Sequence, residues 1–137
     1  MDFIIYKCLK PSTEVYAKLK IDLCEDQEVY YGANYIAAWR PSTIRSINEN
    51  SAFFISGRVQ YKTENHYYSS EVLIEHLKNN NWPLSEDFTG FFSGVLFSDN
   101  SFRIFNDPIG LFHLYYCITD KYVIVATNLN AIHSITG

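Results

Sequence analysis

The sequence has no apolar run long enough to span a membrane, and its first residues lack the pattern of a secretory signal. Basic residues are few: 11 Lys and Arg against 15 Asp and Glu give a net charge of −4, which argues against nucleic acid or an anionic membrane as a partner. The three cysteines, Cys8, Cys24 and Cys117, show no metal-site spacing. We therefore expect reduced thiols in a cytoplasmic protein, with no metal and no cofactor.

Apolar and aromatic residues are plentiful instead. Hydrophobic residues make up 47% and aromatic residues 17% of the 137 positions, which is enough for a substantial β-rich core. No repeat, low-complexity tract or linker interrupts the chain. These features predict a single domain over residues 1–137.

The segment from Phe88 to Ala131 predicts four strands joined by three short turns. The strands are expected at 91–97, 102–105, 112–118 and 122–127, each rich in β-branched and aromatic residues. Turn-forming residues separate them, including Asp99 and Asp107. Because turns this short join antiparallel neighbours, the pattern predicts a β-meander.

Elsewhere the pattern predicts strands at 3–6, 15–23 (alternating), 29–39 with a break at Gly32, and 52–61, with a loop at 40–51. The clearest helix is predicted over Glu71 to Asn80, capped by Ser69 or Ser70 and followed by Pro83. A short terminal helix, 129–135, would be capped by Asn128. The fold class predicted is α+β, with antiparallel sheets and few helices.

Several of these segments resemble the N-terminal, class II glutamine amidotransferase domain of the asparagine synthetase family. Residues 87–97, DFTGFFSGVLF, are similar to the family's LxGxFAFALWD; residues 106–116, NDPIGLFHLYY, to ARDRxGxxPLYY; and residues 123–132, VIVATNLNAI, to LxFASExxAL. Upstream, residues 54–61, FISGRVQY, resemble FNGEIYN, and residues 69–74, SSEVLI, resemble SDTEVLL. The resemblance covers most of 53–132, whereas residues 1–52 match in strand pattern alone.

The resemblance implies the αββα sandwich of N-terminal-nucleophile hydrolases, here in a reduced form. It also implies glutamine hydrolysis, but this sequence lacks the residues that carry out that reaction. In these amidotransferases a cysteine directly after the initiator Met attacks glutamine, and its own α-amine acts as the base. Asp2 stands at that position. A carboxylate is a poor nucleophile towards an amide, and a Met before Asp is expected to be retained.

Other parts of the implied glutamine pocket are altered too. The family's Asn-Gly oxyanion pair is represented by Ser56 and Gly57, so the side-chain amide donor is missing. Ser69 aligns with the acidic residue that holds the ammonium group of the substrate. Arg40 is either the arginine that clasps the substrate carboxylate or an ordinary charge at a strand end, and we favour the second interpretation. Asp2, Arg40, Ser56, Gly57 and Ser69 are thus the candidate remnants of a pocket, and no residue is assigned a catalytic role. Ser56 and Gly57 are expected at a strand end near Asp2 and Ser69.

Two alternatives for catalysis carry less weight. Cleavage before Cys8 would create a new N-terminal nucleophile, but no cleavage signal is recognisable there. The histidines, His66, His76, His113 and His133, share no spacing that would place two of them on one face as metal ligands. His113 and Cys117 are expected to be structural.

The sequence therefore predicts a degenerate, glutaminase-inactive amidotransferase-like domain. Its expected role is a scaffold for an ATP-dependent, asparagine-synthetase-like domain that forms amide bonds, encoded in the same gene or a neighbouring one. The alternative is a free-standing module that binds a small ligand or a protein through the old pocket. Because few helices are available to cover the sheets, we also expect a partner surface or homodimer involving some of Phe102, Phe105, Phe112 and Tyr115.

Overall fold

The computed structural model describes residues 2–9, 27–61, 88–98, 101–107, 109–110 and 112–137. Strands β1 to β9 run in chain order over Phe3–Cys8, Glu28–Tyr31, Tyr35–Trp39, Ile44–Ile47, Ser51–Tyr61, Phe88–Ser98, Ser101–Asn106, Tyr115–Ile118 and Tyr122–Ala126. A helix, α1, spans Leu129–Thr136. The described part of the chain is therefore mostly antiparallel sheet with one short helix, and the α+β prediction is confirmed at that level.

The chain divides into two compact units, each built on its own sheet. The first unit holds a five-stranded sheet in the order β2-β3-β1-β9-β8, together with α1. The second holds a four-stranded sheet in the order β4-β5-β6-β7. Every strand pairing described is antiparallel. The prediction of one domain over residues 1–137 stays a prediction.

Strand β1 is the centre of the five-stranded sheet, and all six of its residues are buried. This explains why the segment reads as a nearly continuous apolar run rather than as an alternating strand. One face of the sheet packs against Ile132 of α1, in a cluster with Ile4, Tyr6, Cys8, Ala38, Ile124 and Ala126. The helix begins where Asn128 Oδ1 accepts the Asn130 N–H, so the predicted cap is confirmed.

Strands β5 and β6 are the two central strands of the four-stranded sheet, and they pair with each other along all 11 residues of each. On one face the buried residues Phe53, Ile55, Val59 and Phe92 form a cluster against which Phe105 packs. On the opposite face Phe54, Val95 and Phe97 are fully buried. The two central strands therefore carry buried side chains on both faces, whereas the edge strand β7 is largely exposed.

Three predictions about the strands are wrong. The predicted meander is two separate hairpins, because β7 pairs with β6 in one sheet whereas β8 pairs with β9 in the other. The connection from Asn106 to Tyr115 carries the chain between sheets, and the third strand begins at Tyr115 rather than at residue 112. The predicted loop at 40–51 contains strand β4, which pairs with β5.

Other predictions are confirmed or refined. The break at Gly32 is the turn of a hairpin between β2 and β3, and a Cβ there would overlap the ring of Tyr35. The predicted strands at 3–6 and 52–61 correspond to β1 and β5. The strand predicted at 15–23, the helix at 71–80, Ser69 and Cys24 lie outside the described residues.

Candidate functional site

Asp2, the first of the candidate residues from the sequence, lies directly before β1, and both its N–H and its carbonyl oxygen are hydrogen-bonded. Its N–H donates to Thr127 Oγ1 at 2.8 Å. Its carbonyl oxygen accepts from the Arg40 N–H at 2.8 Å and from Thr43 Oγ1 at 3.1 Å. These bonds hold Asp2 in place where β1 begins and where the neighbouring strands β3 and β9 end.

The strand registers explain why these residues meet. Phe3 is opposite Trp39, so the residue after β3, Arg40, falls beside Asp2. Ile4 is opposite Ala126, so the residue after β9, Thr127, falls on the other side. A shift of one residue in either register would turn the side chains of that strand to the other face of the sheet. The cluster of Asp2, Arg40, Thr43 and Thr127, here called the Asp2 cluster, therefore follows from the packing of β1, β3 and β9.

The side chains of Asp2 and Arg40 form an ion pair. Arg40 Nη1 lies 3.7 Å from Asp2 Oδ1, and the two side chains are 45% and 38% exposed. At this exposure such a pair adds at most about 1 kcal/mol to stability. The ion pair bears on binding more than on stability. A guanidinium is suited to a carboxylate partner, and Asp2 of the same chain supplies that carboxylate.

The contacts of the Asp2 cluster fix its main chain and pair its two charges. With Met1 attached, the nitrogen of Asp2 is a peptide N–H that donates to Thr127 Oγ1, and a peptide nitrogen does not act as a base. The Asp2 carboxylate faces a cation, and Thr127 Oγ1 accepts from Asp2 and lies 3.4 Å from the Phe3 carbonyl oxygen. This arrangement fixes the main chain at Asp2 and pairs the Asp2 carboxylate with the Arg40 guanidinium.

Ser56 and Gly57 lie in the middle of β5, so their predicted location at a strand end is wrong. The strand continues to Tyr61 because β6 pairs with it along its whole length. Gly57 has φ of 98°, and a Cβ there would come within 2.1 Å of the Phe91 carbonyl oxygen. The conformation and the close approach of β6 both require glycine at this position. The expected proximity of these residues to Ser69 and Asp2 stays a prediction.

Ser56 is buried and lies directly opposite Ser93 in the pairing of β5 with β6. Ser93 is fully buried, and within the described ranges its hydroxyl oxygen has no hydrogen-bond partner. Two small hydroxyl side chains thus share one position across the sheet where apolar residues surround them. Neither side chain matches an amide oxyanion donor.

Asp107 follows β7 and is almost completely buried. Its Oδ1 accepts from the N–H groups of Ile109 at 2.9 Å and Gly110 at 2.7 Å, and its Oδ2 accepts from the Phe92 N–H at 3.2 Å. The Asp107 N–H in turn donates to the Phe92 carbonyl oxygen. The prediction that Asp107 forms a turn is confirmed, and the carboxylate also ties that turn to β6.

Cys8 lies in the buried cluster beneath α1, and Cys117 is half-buried on β8. Burial raises the pKa of the Cys8 thiol, which lowers the fraction of reactive thiolate. This location disfavours Cys8 as an alternative nucleophile within the folded chain.

We expect Cys117 to react with a thiol reagent before Cys8 does in the native protein, because Cys8 has a higher barrier to exposure and deprotonation. Alkylation followed by peptide mass spectrometry measures the order of labelling. Denatured protein is the control, in which the two sites should react at similar rates. Native Cys8 labelling at the denatured rate would contradict the packing described for β1.

Three residues of these arrangements are absent from the sequence-based set: Thr43, Thr127 and Ser93. Thr43 and Thr127 follow strands that flank β1, so a correct pairing of β1 with β3 and β9 would have pointed to them. Ser93 is signalled only by being a polar residue within a strand of apolar neighbours. The strand register, rather than a sequence motif, determines which of these residues come together.

Two further searches concern metals and membranes. Among the residues that the structure describes, no three His, Cys, Asp or Glu side chains are grouped as a metal site would require. Within those same residues, no helical segment has the length and apolar character needed to cross a bilayer.

Comparison with known proteins found no protein-family model that matches the chain, and no curated protein that matches it in sequence.

Proposed function

We propose that this chain is a degenerate class II glutamine amidotransferase-like domain that no longer hydrolyses glutamine. Its role is to serve as a scaffold for an ATP-dependent, asparagine-synthetase-like domain that forms amide bonds. The proposed fold is the reduced αββα sandwich of N-terminal-nucleophile hydrolases. The rival function is a free-standing module that binds a ligand or protein, and the experiments below separate the two.

The observation that carries the proposal is the ion pair at the start of β1. Asp2 stands at the position of the family's nucleophile, and its carboxylate lies 3.7 Å from Arg40. On the first of the two interpretations given above for Arg40, it is the arginine that clasps the carboxylate of the substrate. An internal carboxylate at the same cation removes the nucleophile and also competes with the substrate for its anchor.

The remaining support concerns the oxyanion donors. Removing one well-placed donor costs a factor of roughly 100 to 1,000 in rate. In the resemblance Ser56 replaces the family's asparagine, and Ser56 and Gly57 lie inside a paired strand rather than at its end. A site that lacks nucleophile, base and amide donor has no route to glutamine hydrolysis.

We expect the purified protein to release no glutamate from glutamine above the background rate. A coupled glutamate dehydrogenase assay measures the release, and intact-mass analysis tests whether Met1 is retained. A Cys8→Ser variant is the matched control. Turnover by the unmodified protein would overturn the proposal, and turnover lost in Cys8→Ser would point to processing before Cys8.

The scaffold role predicts a physical complex. The asparagine-synthetase-like domain encoded in the same reading frame or next to it should co-elute with this chain. Without the chain, its soluble yield and its ATP–pyrophosphate exchange should fall. A synthetase domain that is equally soluble and active alone, or the absence of any such domain, would contradict the scaffold role and favour the binding module.

A further inference from the structure

Strand β8 is an edge strand that carries no charged side chain. Within the described part of the chain it pairs with β9 along one side and has no strand partner along the other. In the sheets as described, the three other edge strands, β2, β4 and β7, each contain a charged residue, namely Glu28, Arg45 and Arg103. Charged residues are a common means by which proteins prevent pairing at a sheet edge. The β8 edge lacks that protection.

The side chains of β8 differ between the two faces of the sheet. Tyr115 and Cys117 are half-buried and pack on the cluster that contains Ile132 of α1. Tyr116 and Ile118 point to the other face and are 62% and 63% exposed. Two large apolar side chains thus stand side by side on an open edge.

We propose that the β8 edge is a homodimer interface, in which β8 of a second copy pairs antiparallel with it and continues the sheet through both molecules. A second copy is the occupant because the edge is self-complementary: a two-fold axis brings apolar side chains together and opposes no like charges. The inference goes beyond the proposed function and does not depend on it.

The faces of the strand restrict the register of this pairing. Residues directly opposite each other must lie on the same face of the sheet, so Tyr116 can face residue 116 or 118 of the second copy but not 117. The register centred on Cys117 places Tyr116 opposite Ile118 of the second copy, twice by symmetry. It therefore pairs both exposed apolar side chains, an aromatic with a β-branched residue.

In this register Cys117 lies on the two-fold axis opposite its own copy. Cα atoms of opposed antiparallel residues are about 4.5 to 5.5 Å apart. Disulfides form over Cα separations of about 4.4 to 6.8 Å. Diamide should therefore join the two Cys117 thiols, with the S–S bond replacing two S–H bonds and the diamide taking up both electrons and both protons.

Analytical ultracentrifugation over a range of concentrations tests the interface. We expect a reversible dimer for the unmodified chain and at least roughly tenfold weaker association for Ile118→Lys, because the exposed apolar contact is replaced by two lysines near the axis. The matched control is Tyr31→Lys on β2, the opposite edge of the same sheet, which should leave the dimer intact. A strict monomer at every concentration, or equal effects of the two variants, would overturn the proposal.

Two further measurements test the register. Diamide should give a reducible covalent dimer that is lost in Cys117→Ser and retained in Cys24→Ser. A mixture of Ile118→Lys with Tyr116→Glu should associate more tightly than either variant alone, because the register places a lysine directly opposite a glutamate. A covalent dimer that persists in Cys117→Ser, or a mixture no tighter than its components, would refute the Cys117-centred pairing.

Discussion

Replacing Gly57 with alanine is expected to destabilise the protein by roughly 3 to 5 kcal/mol, the sum of a strained φ and a steric overlap. Gly57 has φ of 98°, where residues with a Cβ are disfavoured, and a Cβ would approach the Phe91 carbonyl oxygen to 2.1 Å. That oxygen belongs to the backbone of the paired strand β6, so it cannot rotate away as a side chain could. The strands would have to separate locally for the methyl group to fit.

Urea unfolding of the two proteins, followed by circular dichroism, measures this loss. The control is Gly137→Ala, which changes a glycine with φ of 79° and no neighbouring atom within 4 Å. It should cost only about 1 kcal/mol, because it carries the conformational term without the overlap. Equal losses in the two variants would show that the close approach of β5 to β6 has no energetic consequence.

The local signals in the sequence predicted the elements whose neighbours are close in the chain. The apolar run of β1, the break at Gly32 and the Asn128 cap each depend on a few consecutive residues, and each is observed, with the break at Gly32 forming the turn of a hairpin. Strand β4 was missed because it has four residues, two of them polar, and follows Pro41. Its strand conformation comes from pairing with β5, which a local pattern does not encode.

The predicted meander failed for a related reason. Asp107 and Gly110 are as typical of a hairpin turn as of a connection between sheets. Whether β8 returns to β7 or joins β9 depends on which sheet has space for it, and that is decided by tertiary packing. Sequence therefore located both hairpins but joined them wrongly.

In the candidate pocket, too, the sequence indicates individual residues but not which of them are in contact. The sequence points to Asp2 and Arg40 separately and favours a surface charge for Arg40. The structure adds the ion pair, together with the two threonines that hold the main chain of Asp2. Contacts across 38 to 125 positions depend on strand register, and no motif in the sequence fixes that register.

The second large effect is expected for Asp107→Ala, which should lower the free energy of unfolding by roughly 3 to 5 kcal/mol. The carboxylate of Asp107 is 2% exposed and accepts three backbone N–H groups. Without it the Phe92 N–H loses its acceptor in a buried position, and the Ile109 N–H loses its partner in the turn. Gly110 loses less, since its N–H also donates to the Asp107 carbonyl oxygen.

Urea unfolding of Asp107→Ala and Asp107→Asn tests this account. The asparagine variant should lose less stability than alanine, because its side-chain oxygen can still accept from Ile109 and Gly110, whereas its amide cannot accept from Phe92. Asp120→Ala, in the exposed turn between β8 and β9, is the matched control and should change stability by less than about 1 kcal/mol. If Asp107→Ala behaved like Asp120→Ala, the buried carboxylate would not be the group that ties the turn after β7 to β6.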